Sequence, residues 1–300
     1  MAIADLLTSF TTETGTKPRD EELDLYGVTH PGKVRPENQD HFLVATIHQQ
    51  IVLHGTSLPD ADHLPLRGER LGTILMVADG VGGGSAGGEA SQLAVSTIGR
   101  YVTSTMHCYH TRGREAEQQF YEALKGAALE AHDAVRAEAA TRLAANPIPA
   151  KRSMSTTLTL ALVVWPWYYV LQVGDSRCYT FWDGKLEQIT RDQTLAQDLV
   201  DKGALPADKA AASPFSHVLA SSIGGREAQP EVKRLDVRPR GRIVLLCSDG
   251  LTKHVSDAQI AEQCRIMTSA EQLCRTLLEM ALADGGSDNI TVIAGRAKPL

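Results

Sequence analysis

Thr73-Ile-Leu-Met-Val-Ala-Asp-Gly-Val-Gly-Gly-Gly-Ser-Ala-Gly-Gly88 decides how the rest of the chain is read. Thr73 to Ala78 has the run of apolar and β-branched side chains of a buried strand, and Asp79-Gly80 ends it. Ile243 to Cys247 repeats the pattern and is followed by Ser248-Asp249-Gly250. A third carboxylate, Asp288, stands just before another such run, Ile290 to Ala294. An unpaired carboxylate is costly to desolvate, so a core strand has no use for one along its length. At the mouths of core strands, carboxylates suit a rigid cluster that gathers hard cations. Metal-assisted chemistry on an oxygen-rich substrate is the leading expectation.

The glycines after Asp79 allow two other readings. Gly82-Gly83-Gly84-Ser85-Ala86-Gly87 fits G-x-G-x-x-G between a strand and a helix, the fingerprint of a dinucleotide site. That site needs a second parallel strand and an acidic residue about 20 positions on. Here a helix pattern runs into another helix pattern, and no Asp or Glu occurs between Ala90 and Arg114. Asp79 would also repel a pyrophosphate. No Lys follows the glycines, so a P-loop is excluded. Taken alone, Asp79-Gly80 could be a plain strand-to-helix turn; equally, the glycines would let the Gly80 carbonyl approach a cation.

Bulk properties narrow the function. The chain has 300 residues, 43% of them hydrophobic, and a formal net charge of -6. A nucleic-acid binder would carry a basic face, so no nucleic-acid partner is expected. The five cysteines are an odd number without a C-x-x-C pair, which argues against a disulfide framework or zinc ribbon and for a reducing cytoplasm. The ten histidines show no metal-binding spacing, so oxygen ligands must carry any metal. Thr157 to Val173 is the longest apolar stretch, but Pro166 breaks it; it reads as two strands around a turn, with no membrane span and a soluble protein expected.

Working outward, residues 1–22 are polar and read as a flexible arm. Asp24 to Val28 and His41 to Ile47 read as strands, and His48 to Leu71 as a long hairpin connection. Helical spacing covers Glu89 to Met106 and Arg114 to Ala145. Strands are expected over 156–164, 168–174, 177–182 and 185–189, with Asp183-Gly184 as a hairpin turn. Thr194 and Gln197 open a short helix that Gly203 stops, and Pro206 starts another. Strands near 231–237 and 242–247 follow, then helices capped at Ser256 and Ser269. This meander order with inserted helices predicts an α+β fold. Two antiparallel sheets pack as a central sandwich flanked by helices, in α-β-β-α layers, with a short helical flap.

Arg35-Pro-Glu-Asn-Gln-Asp40, Asp79-Gly-Val-Gly-Gly83, Gly174-Asp-Ser-Arg177, Ser248-Asp-Gly-Leu251 and Gly286-Ser-Asp-Asn-Ile290 occur in that order. Together they resemble the signature elements of metal-dependent Ser/Thr protein phosphatases of the protein phosphatase 2C (PPM) family, bacterial type. The likeness spans residues 23–296 as one phosphatase domain, with the flap at about 190–224. It implies two Mn²⁺ or Mg²⁺ ions bound by Asp79, the Gly80 carbonyl, Asp249 and Asp288, with Asp40 assisting. Arg35 would hold the substrate phosphate, its planar fork matching two oxygens as Lys could not. The implied reaction is hydrolysis of phosphoserine and phosphothreonine in proteins by direct attack of a water bridging the ions. A cognate Ser/Thr kinase is the implied opposing partner, and a monomer is expected. Taken singly, Asp40 could cap a turn, Asp288-Asn289 could be a turn, and Arg35 could be a surface charge. Asp175 reads more readily as a buried, hydrogen-bonded Asp than as a ligand.

Two positions depart from the family pattern. Val81 stands where some members have a His proposed as general acid, so the donor to the leaving group is unnamed. Arg152 stands where bacterial members often have an Asp that helps bind a third metal. A third ion is therefore expected to be weak or absent, with Arg152 free to approach the phosphate. The rival reading is a catalytically silent member that binds phosphoproteins or a regulator.

Overall fold

The computed structural model describes residues 16–50, 67–82, 85–105, 114–145, 154–210, 212–238 and 240–299. Two antiparallel sheets form the centre. One has the order β1 (Leu23–His30), β11 (Ile290–Ala297), β10 (Ile243–Cys247), β7 (Arg177–Trp182) and β8 (Lys185–Gln188). The other runs β2 (Asp40–Gln50), β3 (Arg67–Val81), β5 (Leu158–Val164), β6 (Trp167–Val173) and β9 (Glu231–Asp236), with β4 (Ser155–Thr156) paired to the end of β3.

The apolar runs that opened the reading are strands covered on both faces. Leu75 and Val77 point inward and meet Val244, Leu246 and Ile293 between the sheets. Ile74 and Met76 point outward against Ala90, Ala94 and Ile98 of α1 (Ala86–Thr105) and Leu124, Ala128 and Ala131 of α2 (Arg114–Ala145). On the opposite sheet, Leu245 and Cys247 point outward against α4 (Asp249–Thr252), α5 (Asp257–Ile266) and α6 (Ala270–Ala283), where Leu251, Ile260, Leu273 and Leu277 are buried. Burying each such Leu or Ile contributes roughly 1.5–3 kcal/mol before entropy is counted. The α-β-β-α layering follows from a period-2 chain that is apolar on both faces.

The local signals act where expected. Asp183 and Gly184 both take positive φ, 51° and 74°, as the tight β7–β8 hairpin requires. Thr194 accepts a hydrogen bond from Gln197 N and opens α3 (Leu195–Asp201); Ser256 and Ser269 cap α5 and α6 through Gln259 N and Gln272 N. Most boundaries shift by a few residues from the sequence expectation, and three differences change how the elements pack. β2 and β3 extend to Gln50 and from Arg67, so the hairpin connection is shorter than 48–71; residues 51–66 lie outside the described ones. β3 runs through Asp79 to Val81 instead of ending at Ala78, because Gly80 and Val81 find partners in Thr156 and Ser155. Residues 16–22 of the expected arm lie against β3, where the buried Arg70 guanidinium donates to Pro18 O and Asp20 Oδ1, each at 2.6 Å. Residues 1–15 lie outside the described ones.

Candidate metal centre

The pairing of β2 with β3 sets Asp40 directly opposite Asp79. Like charges across a strand pair are destabilising, so this arrangement works against the fold unless something neutralises it. Asp40 is only 3% exposed. Its Oδ2 accepts from Ser248 Oγ and Thr291 Oγ1, both at 2.7 Å, while Oδ1 is buried without a partner among the described residues. Burial pushes its pKa up to about 6; the two hydroxyls oppose that shift, and Asp249 and Asp288 add to it. Asp79 is raised well above the usual carboxylate range, first by burial and then by Asp40, Asp249, Asp175 and Asp288.

Asp249 enters from the other sheet. It begins α4 directly after β10, and Ser248 fixes the junction: Ser248 N donates to Thr291 O at 3.1 Å, and Ser248 Oγ accepts from Thr291 N at 3.0 Å. Gly250 must be glycine, because a Cβ there would collide with Asn289 O. Asp249 Oδ1 is buried without a partner among the described residues, and its Oδ2 lies 2.7 Å from Lys253 Nζ. Asp288 precedes β11. Arg35 holds it as a fork, Nε to Oδ1 at 2.8 Å and Nη2 to Oδ2 at 3.0 Å, and Lys253 Nζ lies 2.7 Å from Oδ2. Burial would raise the Asp288 pKa, but the hydrogen bonds from Lys253 and Arg35 outweigh it and hold the carboxyl below its usual value.

Backbone contacts set the rest. Gly80 N donates to Gln39 O, and a Cβ on Gly80 would strike the carbonyl oxygens of Gly87 and Gln39. Asn289 fastens the loop that carries Arg35, donating to Pro31 O and Glu37 O and accepting from Gln39 N. The result is an open cleft of about 580 Å³ lined by Arg35, Asp79, Gly80, Asp249, Lys253 and Asp288. An adjoining cleft of about 440 Å³ runs toward α3 and shares Asp175, His217, Asp249 and Lys253 with it. Asp175 is 8% exposed, and burial with Asp249 and Asp192 nearby raises its pKa to about 8.

Asp79, Gly80, Asp249 and Asp288 thus line one cleft with Arg35, and Asp40 lies opposite Asp79. Among the described residues no three acidic, His or Cys side chains are placed to close on one ion, and Asp288 is engaged by Arg35 and Lys253. Arg152 lies outside the described residues. The sequence reading missed Lys253 and the three hydrogen bonds of Asn289. Lys253 stands four residues after Asp249, the spacing at which helical side chains meet, but the short helix that opens at Asp249 was not among the expected elements. The donors fit a hard divalent cation: all are oxygens, two of those oxygens are buried without a partner among the described residues, and Asp40 and Asp79, enclosed side by side, resist ionising.

Comparison with known proteins agrees. The family described as Protein phosphatase 2C matches residues 54–287. The chain belongs to the protein phosphatase 2C family. It is 34% identical over 220 residues to the serine/threonine protein phosphatase PstP of Mycobacterium tuberculosis, covering 73% of this chain and 39% of PstP, so it spans well under half of that relative. It is 31% identical over 225 residues to the protein phosphatase PhpP of Streptococcus pneumoniae, covering 73% of this chain and 84% of PhpP. A crystal structure of M. tuberculosis PstP superposes with TM-score 0.71 at 28% identity, covering 92% of this chain and 99% of that one. The PstP catalytic domain in complex with two manganese ions gives 0.66 at 27%, with the same coverage. This protein phosphatase 2C member shares with those structures the paired sheets flanked by helices. No helix among its described residues is long and apolar enough to cross a membrane.

Proposed function

We propose that this chain is a metal-dependent protein phosphatase that removes phosphate from phosphoserine and phosphothreonine. Asp79, the Gly80 carbonyl, Asp249 and Asp288 would hold two Mn²⁺ or Mg²⁺ ions, with Asp40 assisting from beneath. One observation carries the reading: four carboxylates gather in the structure under self-repulsion, and Asp40 Oδ1 and Asp249 Oδ1 are buried without partners among the described residues. When bound, such ions neutralise those charges and supply an activated water for direct attack on phosphorus. The residues themselves do the positioning. The Arg35 fork, now on Asp288, would turn to two phosphate oxygens. Asn289 keeps the Arg35 loop at the cleft rim, and the Gly80 backbone lets the Gly87 turn close against β3. None of the four described cysteines takes part: Cys178, Cys247, Cys264 and Cys274 are all buried, and burial holds their thiols protonated.

The proposal extends to residues 23–296 as the phosphatase unit, the flap near 190–224 as a substrate-facing segment, and a cytoplasmic monomer opposing a Ser/Thr kinase. Hydrolysis of p-nitrophenyl phosphate and a phosphothreonine peptide tests it. Activity should require Mn²⁺ and fall by about a hundredfold or more in Asp79→Asn and Asp249→Asn. Turnover that persists in EDTA would refute it.

A further inference from the structure

Lys253 sits where a shared cation would sit. Its Nζ is 2.7 Å from Asp249 Oδ2 and 2.7 Å from Asp288 Oδ2, and its side chain is 23% exposed. Among the described residues it is the only cation in contact with both carboxylates. Its position is set by backbone: Lys253 N donates to Asp249 O at 2.9 Å as the C-cap of α4, and Ser248 pins the other end of that turn to β11. The ammonium therefore bridges the last strand to the β10–α4 junction by two charge-assisted hydrogen bonds. Asp249 keeps one buried oxygen unused, so it is half engaged.

An ammonium and a divalent ion cannot both be drawn closely to the same pair of carboxylates, since each carries positive charge into one small, partly enclosed space. We infer that Lys253 is a tethered counter-cation, which holds Asp249 and Asp288 together while metal is absent and must leave them for metal to bind. This rests on the metal-dependent reading given above. Lys253 lines both clefts, so the displaced side chain has room on the side toward α3. The tether stabilises the metal-free fold and lowers apparent metal affinity by the fraction of time the carboxylates are occupied.

The test is Mn²⁺ titration of the full chain by calorimetry, with melting in EDTA as a second readout. Lys253→Met keeps the length of the side chain and removes its charge. It should bind Mn²⁺ about tenfold more tightly than the native chain at unchanged stoichiometry, the ratio expected if the ammonium occupies the pair about nine-tenths of the time. In EDTA it should melt at lower temperature, and Mn²⁺ should raise its melting point by more than that of the native chain. Lys253→Gln guards against a packing fault peculiar to Met and should shift affinity the same way, while Lys253→Arg should not tighten it. Equal Mn²⁺ affinity in the native, Met and Gln proteins overturns the tether alone. No Mn²⁺ uptake by any of them overturns the tether together with the metal-dependent reading.

Discussion

Replacing Asp40 by Asn should remove a pH-dependent instability from the metal-free protein. Burial lifts the Asp40 pKa from 3.8 to about 6, so the folded state holds a proton that the unfolded chain releases. A carboxyl shifted in this direction contributes nothing below its unfolded pKa, where both states are protonated. As pH rises from about 4 to about 6 the folded state becomes progressively less stable relative to the unfolded one, and above that the cost is constant. The full cost is about 3 kcal/mol, at 1.36 kcal/mol per unit, and about 2 kcal/mol of it accrues between about pH 4.5 and about pH 7.5. Asn can still accept from Ser248 and Thr291, but its amide nitrogen takes the place of the unpartnered Oδ1. That buried donor costs roughly 1–3 kcal/mol at every pH. The slope is therefore the readout, and the absolute melting temperature is not. In EDTA, the melting point of Asp40→Asn minus that of the native chain should grow by roughly 3 °C across that pH range. A constant difference, or one that shrinks with pH, would refute the argument that enclosure governs this carboxyl.

Gly80→Ala should lower the melting point and depress Mn²⁺-dependent turnover at least about tenfold, because its Cβ meets the Gly87 and Gln39 carbonyls, neither of which can retreat without moving the strand end; thermal unfolding and p-nitrophenyl phosphate kinetics check both. Arg35→Lys keeps the charge but loses the fork, so KM for a phosphopeptide should rise about tenfold with kcat changed less; steady-state kinetics on both parameters decides it.

The layers were legible because the chain states them locally. Thr73 to Ala78, Leu158 to Val164 and Ile243 to Cys247 are apolar at every position but Thr73 and Thr159, which only strands covered on both faces require. The two long helices announced themselves by period, and Thr194, Ser256 and Ser269 by cap chemistry. The end of β3 was not legible. Asp79-Gly80-Val81 reads as a turn, and nothing in it tells that Ser155-Thr156, far along the chain, will extend the ladder. The docking of residues 16–22 was hidden for the same reason, since it depends on a buried Arg70 needing acceptors.

The site divides along a similar line. Asp79 and Asp249 stand out because each follows directly on the mouth of an apolar run, a local conflict that a fold without a use for them would avoid. Asp40 and Arg35 carry no such conflict; only their place among ordered motifs marked them. Lys253 lacked even that, because its meaning depends on Asp288, brought in from another loop. Yet these two cations decide how the metal-free cleft is arranged. Arg35 and Lys253 together take up Asp288, while Asp40 Oδ1 and Asp249 Oδ1 are left without partners among the described residues. The positive charge the chain supplies therefore reaches Asp288 and Asp249, and the charge it fails to supply is missed most at the Asp40–Asp79 strand pair. A site meant only to be stable would place its cations the other way round. Leaving the deepest carboxylates unneutralised is what a cleft built to receive charge from outside requires.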